Sequence, residues 1–356
     1  MKSLKHYSLI LLVFYSYNIP AQVTLDADGP GNTYELITSV LAPNANPIEA
    51  PDCAHESFGN HIDEIFDSEL NTDVFRFYLH TNEDNDRCIN FDRQRNEIKT
   101  YSPSPDNLKG IEGETVIYKW KFKLAEGFQS SPNFTHLHQL KAVGDNVTNT
   151  PLYTLTTRKG NPDRIELRYA EASSQETLIQ TALAPFIGEW LDVTEVITYG
   201  TDGAYSLVIK KVIDHTILLQ YENDQTSNWQ TGSDFVRPKW GIYRSLINEQ
   251  DLRDEEVRYA NFSIEEQEVL STEEFQINSE ENIHYNTIVN TLSITNINPQ
   301  VNSLKIFSLD GKIMLSQELN QSFEETIDVS TINDGSYILT LQGNTVLKSK
   351  VILIAN

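Results

Sequence analysis

Short runs of alternating apolar and polar residues, broken by Gly, Pro, Asn and Asp, fill the chain from Val23 to about Glu265. The cleanest is Tyr118-Lys119-Trp120-Lys121-Phe122-Lys123-Leu124. Side chains alternate along an extended backbone, so this segment presents aromatics on one face and three lysines on the other. Further strands are predicted at Leu152–Arg158, Arg164–Tyr169, Trp190–Tyr199, Tyr205–Val212, Thr216–Glu222 and Glu256–Ile264. Many short strands with few helical periods predict an all-β fold, a two-sheet sandwich or jelly roll. One short helix is expected near His61–Asp67.

The pattern changes after Ile264, where Glu265-Glu266-Gln267-Glu268 opens a polar, aromatic-poor stretch up to Asn278. Such composition predicts a linker. A second set of strands follows, so the chain divides into a leader at 1–21, a main β domain at 22–265, a linker at 266–278 and a small all-β domain at 279–356. The leader carries Lys2 and Lys5, an apolar run from Ser8 to Tyr15, and small residues up to Ala21, the order of a secretory signal peptide. Its apolar part is too short to span a membrane, and no later run predicts a transmembrane helix.

Composition refines this picture in three ways. A hydrophobic fraction of 39% and an aromatic fraction of 10% are enough for a substantial core, and the prominence of Tyr and Thr favours sheet. Export places the chain's two cysteines, Cys53 and Cys88, in an oxidising compartment, where a lone pair is expected to form a disulfide. The formal net charge of −24, from 51 acidic against 27 basic residues, argues against nucleic acid as a partner. It leaves room for an anionic substrate in a local basic cleft.

Three segments concentrate chemistry. Pro238–Arg244 reads as a strand with Trp240 and Ile242 on a core face, and with Lys239 and Tyr243 on the other face around a side-chain-free Gly241; Arg244 closes the segment as a further cation. Asp92–Lys99 sets Arg93, Arg95, Glu97 and Lys99 on one face, a comb that binds carboxylates, with Glu97 steadying Arg95 and Asn96 beside them. Phe134–Lys141 leaves its register open: His136 and His138 share one face, Gln139 and Lys141 the other, and either pair can line a cleft. Two histidines at this spacing also raise metal binding, although no third ligand lies nearby.

Cations, a candidate base and a phenol are the inventory for β-elimination from a uronic acid polymer. Arg, Gln, Asn or Lys absorbs the charge of the growing enolate, a base removes the C5 proton, and an acid protonates the leaving O4 oxygen. Hydrolysis needs two carboxyl groups flanking the bond, and the nearest candidate, Glu64–Glu69, has the wrong spacing. A non-catalytic carbohydrate-binding module is the alternative from another class.

These segments resemble the Arg-x-Glu, Gln-x-His and Lys-x-Gly-x-Tyr strands of jelly-roll lyases of the alginate lyase and heparin lyase I type, and more nearly the ulvan lyases of polysaccharide lyase family 28. The resemblance covers roughly Val23 to Glu265. It implies endolytic cleavage of ulvan, an anionic algal polysaccharide, to leave an unsaturated uronate, with glucuronan as runner-up substrate. Tyr243 matches the catalytic tyrosine and Arg95 the arginine of Arg-x-Glu. Lys141 stands where the broader group has histidine, which makes it the first choice of base and Gln139 the carboxylate neutraliser; in the other register His138 is the base and His136 its neighbour. Arg93, Lys99, Lys239 and Arg244 are then candidates for substrate charge. No cofactor is required, while Asp26–Gly29, near the final strand, admits a structural calcium. The tail, through Leu304–Lys312, Ile332–Leu339 and Lys348–Ile352, resembles the sorting domain of the type IX secretion system, which implies a secreted or surface-attached protein that engages that machinery.

Overall fold

The computed structural model describes residues 22–267, 282–286, 290–297, 301–308, 311–319, 323–343 and 347–354. The expected signal peptide and nearly all of the expected linker lie outside the described residues. The chain forms two compact units, Met1–Val269 and Leu270–Asn356.

The first unit contains β1 (Val23–Leu25), α1 (Thr33–Leu41), β2 (Ile48–Glu49), β3 (Ile62–Asp67), β4 (Thr72–Leu79), β5 (Arg93–Lys99), β6 (Thr115–Leu124) and β7 (Thr135–Val143). It continues with β8 (Tyr153–Arg158), β9 (Arg164–Tyr169), β10 (Glu176–Ala182), β11 (Trp190–Thr198), β12 (Gly203–Lys211), β13 (Ile217–Thr226), β14 (Phe235–Ser245) and β15 (Glu255–Gln267). Two antiparallel sheets result. One has the order β13-β12-β11-β6-β15-β4-β3, with β1 added on β15; the other has the order β10-β9-β8-β7-β14-β5-β2. This is the all-β, two-sheet jelly-roll architecture that the alternation predicts.

The core lies between the sheets. Tyr118, Trp120 and Phe122 of β6 face Trp240 and Ile242 of β14, and the Trp120 and Trp240 rings are 6.0 Å apart edge to face. Lys119 on the opposite face of β6 is exposed, as the period of two requires.

Two local readings differ. Residues 62–67 form β3 rather than a helix, because Ile62, Glu64 and Asp67 are buried in a strand paired with β4. The helix lies earlier, at Thr33–Leu41, where Ile37 and Leu41 fall one turn apart on the buried face. A disulfide joins Cys53 and Cys88, with Cα atoms 6.3 Å apart. The second unit stacks its own apolar residues, among them Leu292, Ile294, Leu304, Ile306, Leu339 and Ile352, between a β16-β17-β20 sheet and a β19-β18-β21-β22 sheet. Those strands are β16 (Asn282–Asn286), β17 (Thr291–Thr295), β18 (Val301–Ser308), β19 (Ile313–Glu318), β20 (Glu324–Asp328), β21 (Gly335–Gly343) and β22 (Leu347–Ile354).

Candidate active site

Where β5, β14 and β7 run side by side, their outward-facing side chains surround a cleft of about 330 Å³. Pairing builds it in rows. Arg95, Tyr243 and His136 are cross-strand neighbours, Glu97 and Gly241 pair in the next row, Lys99, Lys239 and Gln139 in the one after, and Arg237 sits opposite Lys141. Phe134, Asn149, Pro151, Glu49, Arg87 and Arg93 complete the lining.

A bulge decides which residues of β7 belong to the cleft. Pairing with β14 slips between Trp240 and Tyr243, and pairing with β8 slips between His136 and His138. An extra residue turns the following side chains over, so His136, Gln139 and Lys141 line one cleft although strict alternation would separate them. His138 goes the other way. It is 1% exposed, its Nε2 lies 2.8 Å from Glu195 Oε2 of the opposite sheet, and its ring packs 4.5 Å from Trp120. The core therefore claims His138, which corrects its candidacy as a base and its pairing with His136 as metal ligands.

The bulge is backed by Gly241 and Tyr259. Gly241 has φ +144°, and a Cβ there would sit 2.1 Å from the Asn96 carbonyl oxygen, so only glycine fits. The buried Tyr259 hydroxyl, from β15 of the other sheet, lies 2.8 Å from the Leu137 carbonyl oxygen and 2.7 Å from that of Gly241. The single phenolic hydrogen is thus shared between two carbonyls at the irregular step.

The floor of the cleft is an ion network. Glu49 of β2 stands opposite Glu97 of β5, a like-charge pair that is unfavourable unless a cation intervenes. Lys239 supplies it, with Nζ 2.6 Å from both carboxylates. Arg95 donates to Glu97 at 2.5 Å and to Asp86 at 3.0 Å, Lys99 reaches Glu49 at 2.7 Å, and Gln139 Nε2 bonds the other oxygen of Glu97. Burial alone would raise the pKa of both glutamates, yet Lys239 and Arg95 outweigh it, holding Glu49 well below the usual carboxylate range and lowering Glu97 as well. Lys239 and Lys99, expected to meet substrate charge, are thereby committed to protein carboxylates.

Tyr243 occupies the centre of the wall. Its oxygen accepts a hydrogen bond from Arg93 Nη1 at 2.9 Å, and the Arg95 guanidinium lies 3.7 Å from the ring centroid. His136 packs against Phe134 and Tyr243, with centroids 4.8 and 5.7 Å away, and burial lowers its pKa to about 3. Lys141 donates to the Asn149 carbonyl at 2.7 Å; burial, then Lys239, Arg237 and Arg95, lower its pKa to about 8. At neutral pH a usable fraction of this amine is therefore unprotonated.

Two other expected contacts lie elsewhere. Arg244 is 0% exposed on the opposite face of β14, where it donates to Gln94 Oε1 and to the Arg253 carbonyl, each at 2.8 Å. Asn96, likewise inward on β5, donates to the carbonyls of His61 and Tyr78. Parity separates both from the cleft by one residue. The sequence reading missed Glu49, Arg87 and Arg237. Arg237 was detectable, since it lies two residues before Lys239 on the same strand face; its Nε is buried without a hydrogen-bond partner. Glu49 comes from a two-residue strand that no periodicity signals. Near the expected calcium position, the amides of Asp28 and Gly29 both donate to Glu64 at 2.8 Å, and Asp26 accepts from Asn261.

Residues 271–355 match the family model described as a secretion system C-terminal sorting domain, which marks the chain for secretion or the cell surface. No helix among the described residues is long and apolar enough to cross a membrane. A search of curated proteins finds no match. Among solved structures, an endo-β-1,4-glucuronan lyase from Trichoderma reesei is similar at 14% identity and a TM-score of 0.41, over 57% of this chain and 86% of that one. A marine PL-14 alginate lyase from Aplysia kurodai is similar at 13% identity and 0.47, over 68% and 98%. A family 7 alginate lyase, A1-II′, in complex with substrate gives 15% identity and 0.42, over 64% and 97%.

Proposed function

We propose that the chain is a secreted polysaccharide lyase that cuts an anionic, uronic-acid-containing polymer internally by β-elimination, with ulvan as its substrate and glucuronan as the runner-up. The observation that carries this reading is the setting of Tyr243. The hydrogen bond at its oxygen is one it accepts, from Arg93, so the phenolic hydrogen remains available to a leaving oxygen. The phenolate left behind is stabilised by two guanidiniums, Arg93 beside it and Arg95 over its ring.

Arg237, and Gln139 through the second amide hydrogen that Glu97 leaves free, hold the uronate carboxylate and absorb charge as the C5 carbanion develops. Lys141, as the free amine, takes the C5 proton. The electron pair forms the C4–C5 double bond, the C4–O4 bond breaks, and Tyr243 protonates O4. Water then returns the proton from Lys141 to Tyr243. Each proton-transfer group contributes on the order of 10²–10⁴ in rate.

The cleft is unsuited to hydrolysis. A glycosidase needs one carboxylic acid kept protonated at working pH, whereas Glu49 and Glu97 are held ionised. A second assignment of the base has one specific observation behind it. His136, not Lys141, shares the register row of Tyr243, and burial keeps its ring neutral.

Purified chain incubated with ulvan should produce the ultraviolet absorbance of an unsaturated uronate. A rise with glucuronan alone would keep the lyase and remove ulvan. New reducing ends without absorbance would mean hydrolysis, and binding without cleavage of either polymer would mean a carbohydrate-binding module.

A further inference from the structure

A second cluster of titratable groups lies behind β5, on the side away from the cleft. His55, His61, His80 and Asp84 each offer one ligand atom, and all four atoms fall within 4.8 Å of one another. They come from the segment after Cys53, the residue before β3 and the loop that follows β4. Asp84 is central. Its Oδ1 lies 3.0 Å from His61 Nε2 and 3.4 Å from His55 Nδ1, and its Oδ2 lies 3.2 Å from His80 Nδ1.

Hydrogen bonds to Asp84 serve His61 Nε2 and His80 Nδ1 but leave one ring nitrogen of the cluster over. The His80 amide already donates to Asp84 Oδ2 at 2.6 Å, and His55 Nδ1 is buried with no hydrogen-bond partner. His61 Nδ1 lies 2.7 Å from Asp52 Oδ1. A proton held there leaves the Nε2 lone pair turned toward Asp84, the carboxylate–imidazole–metal relay that orients ligating histidines.

We propose that His55, His61, His80 and Asp84 form a closed zinc site. Three imidazole nitrogens and one carboxylate oxygen are a donor set that suits tetrahedral zinc. Bonds of about 2.0–2.1 Å imply ligand–ligand edges of about 3.3 Å; the separations of 3.0 and 3.4 Å from Asp84 Oδ1 to His61 and His55 already match that spacing, while His80 Nδ1 faces the other oxygen at 3.2 Å and meets the ion after a small turn of the carboxylate. Phe58 packs over the three imidazoles at 4.3–5.5 Å between centroids. It leaves little room for a substrate at the ion, so the site is structural.

The metal ties together the two loops that the Cys53–Cys88 disulfide also joins. Gln94 of β5 holds the carbonyls of His80 and Asp84, and the same loop carries Asp86, the partner of Arg95 and Arg87. Zinc therefore supports the cation wall from behind without taking part in the proposed elimination, and the inference stands whether or not the lyase reading holds.

The test uses full-length chain without a polyhistidine tag, analysed for metals by mass spectrometry after dialysis. The expected result is about one zinc per chain, matching a single four-ligand site. Dipicolinate should lower the melting temperature of this protein but not that of His55→Ala, which alters the half-buried ligand least able to disturb the fold and should lack zinc. Should His55→Ala misfold, cobalt(II) added to stripped wild-type protein still decides, because tetrahedral coordination gives intense visible absorption. The proposal is overturned by wild-type protein that neither contains zinc nor takes it up from zinc chloride, as expected if His61 is simply an imidazolium between Asp52 and Asp84. Full zinc occupancy in His55→Ala, calcium in place of zinc, or an octahedral cobalt spectrum would also overturn it.

Discussion

Two strands of this protein carry a comb of basic side chains along one face, unbroken on β6 and interrupted by Glu97 on β5, and they meet opposite fates. On β6, Lys119, Lys121 and Lys123 face outward; Lys121 touches Asn261, Lys123 touches Glu69, and Lys119 is exposed. On β5, Arg95 is set against Asp86, Glu49 and Glu97 and Lys99 against Glu49, beneath a phenol and an imidazole, while Arg93 pairs with the exposed Asp92 and reaches the phenol. The alternation is the same in both. What distinguishes the second comb is a layer of buried countercharge from β2, from the disulfide-tied loop and from Glu97 of β5 itself, which fixes Arg95 and Lys99 in direction. Exposed lysines add solubility and little stability; buried ions cost several kcal/mol each to desolvate and persist only when every partner is present.

Substitutions can test how deep this difference runs. Tyr243→Phe removes one hydroxyl at the focus of the β5 comb and should reduce kcat by about 10³-fold, with KM and the circular dichroism spectrum near wild type. Steady-state kinetics on the best polymer reads it, and near-normal turnover would end the acid assignment. Glu97→Gln keeps the shape but deletes a buried charge, and should cost about 3 kcal/mol in denaturant unfolding, the lower end for a broken buried pair because Glu49 still faces Lys239.

Lys141→Met should lower kcat/KM by roughly 10². The lysine acts only when unprotonated and its pKa is depressed to about 8, so wild-type kcat/KM should rise with pH up to that value and then level. A flat profile from pH 5 to 8 would instead fit His136, whose pKa of about 3 leaves it neutral throughout. The smallest effect belongs to the other comb: Lys119→Gln should change stability by less than about 0.5 kcal/mol and leave kinetics unaltered. A large loss there would erase the contrast between the two strands.

Much of this was legible in the chain itself, because a period of two is a direct consequence of strand geometry. The strand at 164–169 and the aromatic face of β6 appear where alternation puts them, and parity alone places Lys239 and Tyr243 opposite Trp240. Parity also assigned Arg244 and Asn96 to the core side, but their polarity suggested the cleft; both are buried polar groups that satisfy loop carbonyls, as interior polar groups must. The β7 segment resisted for another reason. His136 and His138 have equal parity and opposite destinations, and nothing in the local sequence declares the inserted step. Glu49 was invisible because its role depends on the sheet order, which brings β2 beside β5, and Asp86 because it depends on how the loop before β5 folds back onto Arg95.

That inserted step has a wider consequence. With Tyr259 reaching from one sheet to the irregular carbonyls of the other, the distance between the proposed proton donor and base is gauged partly by the thickness of the interior. Variation in core volume then becomes variation in the alignment of that proposed pair, so the interior of this sandwich should tolerate less change over evolutionary time than its packing alone would demand.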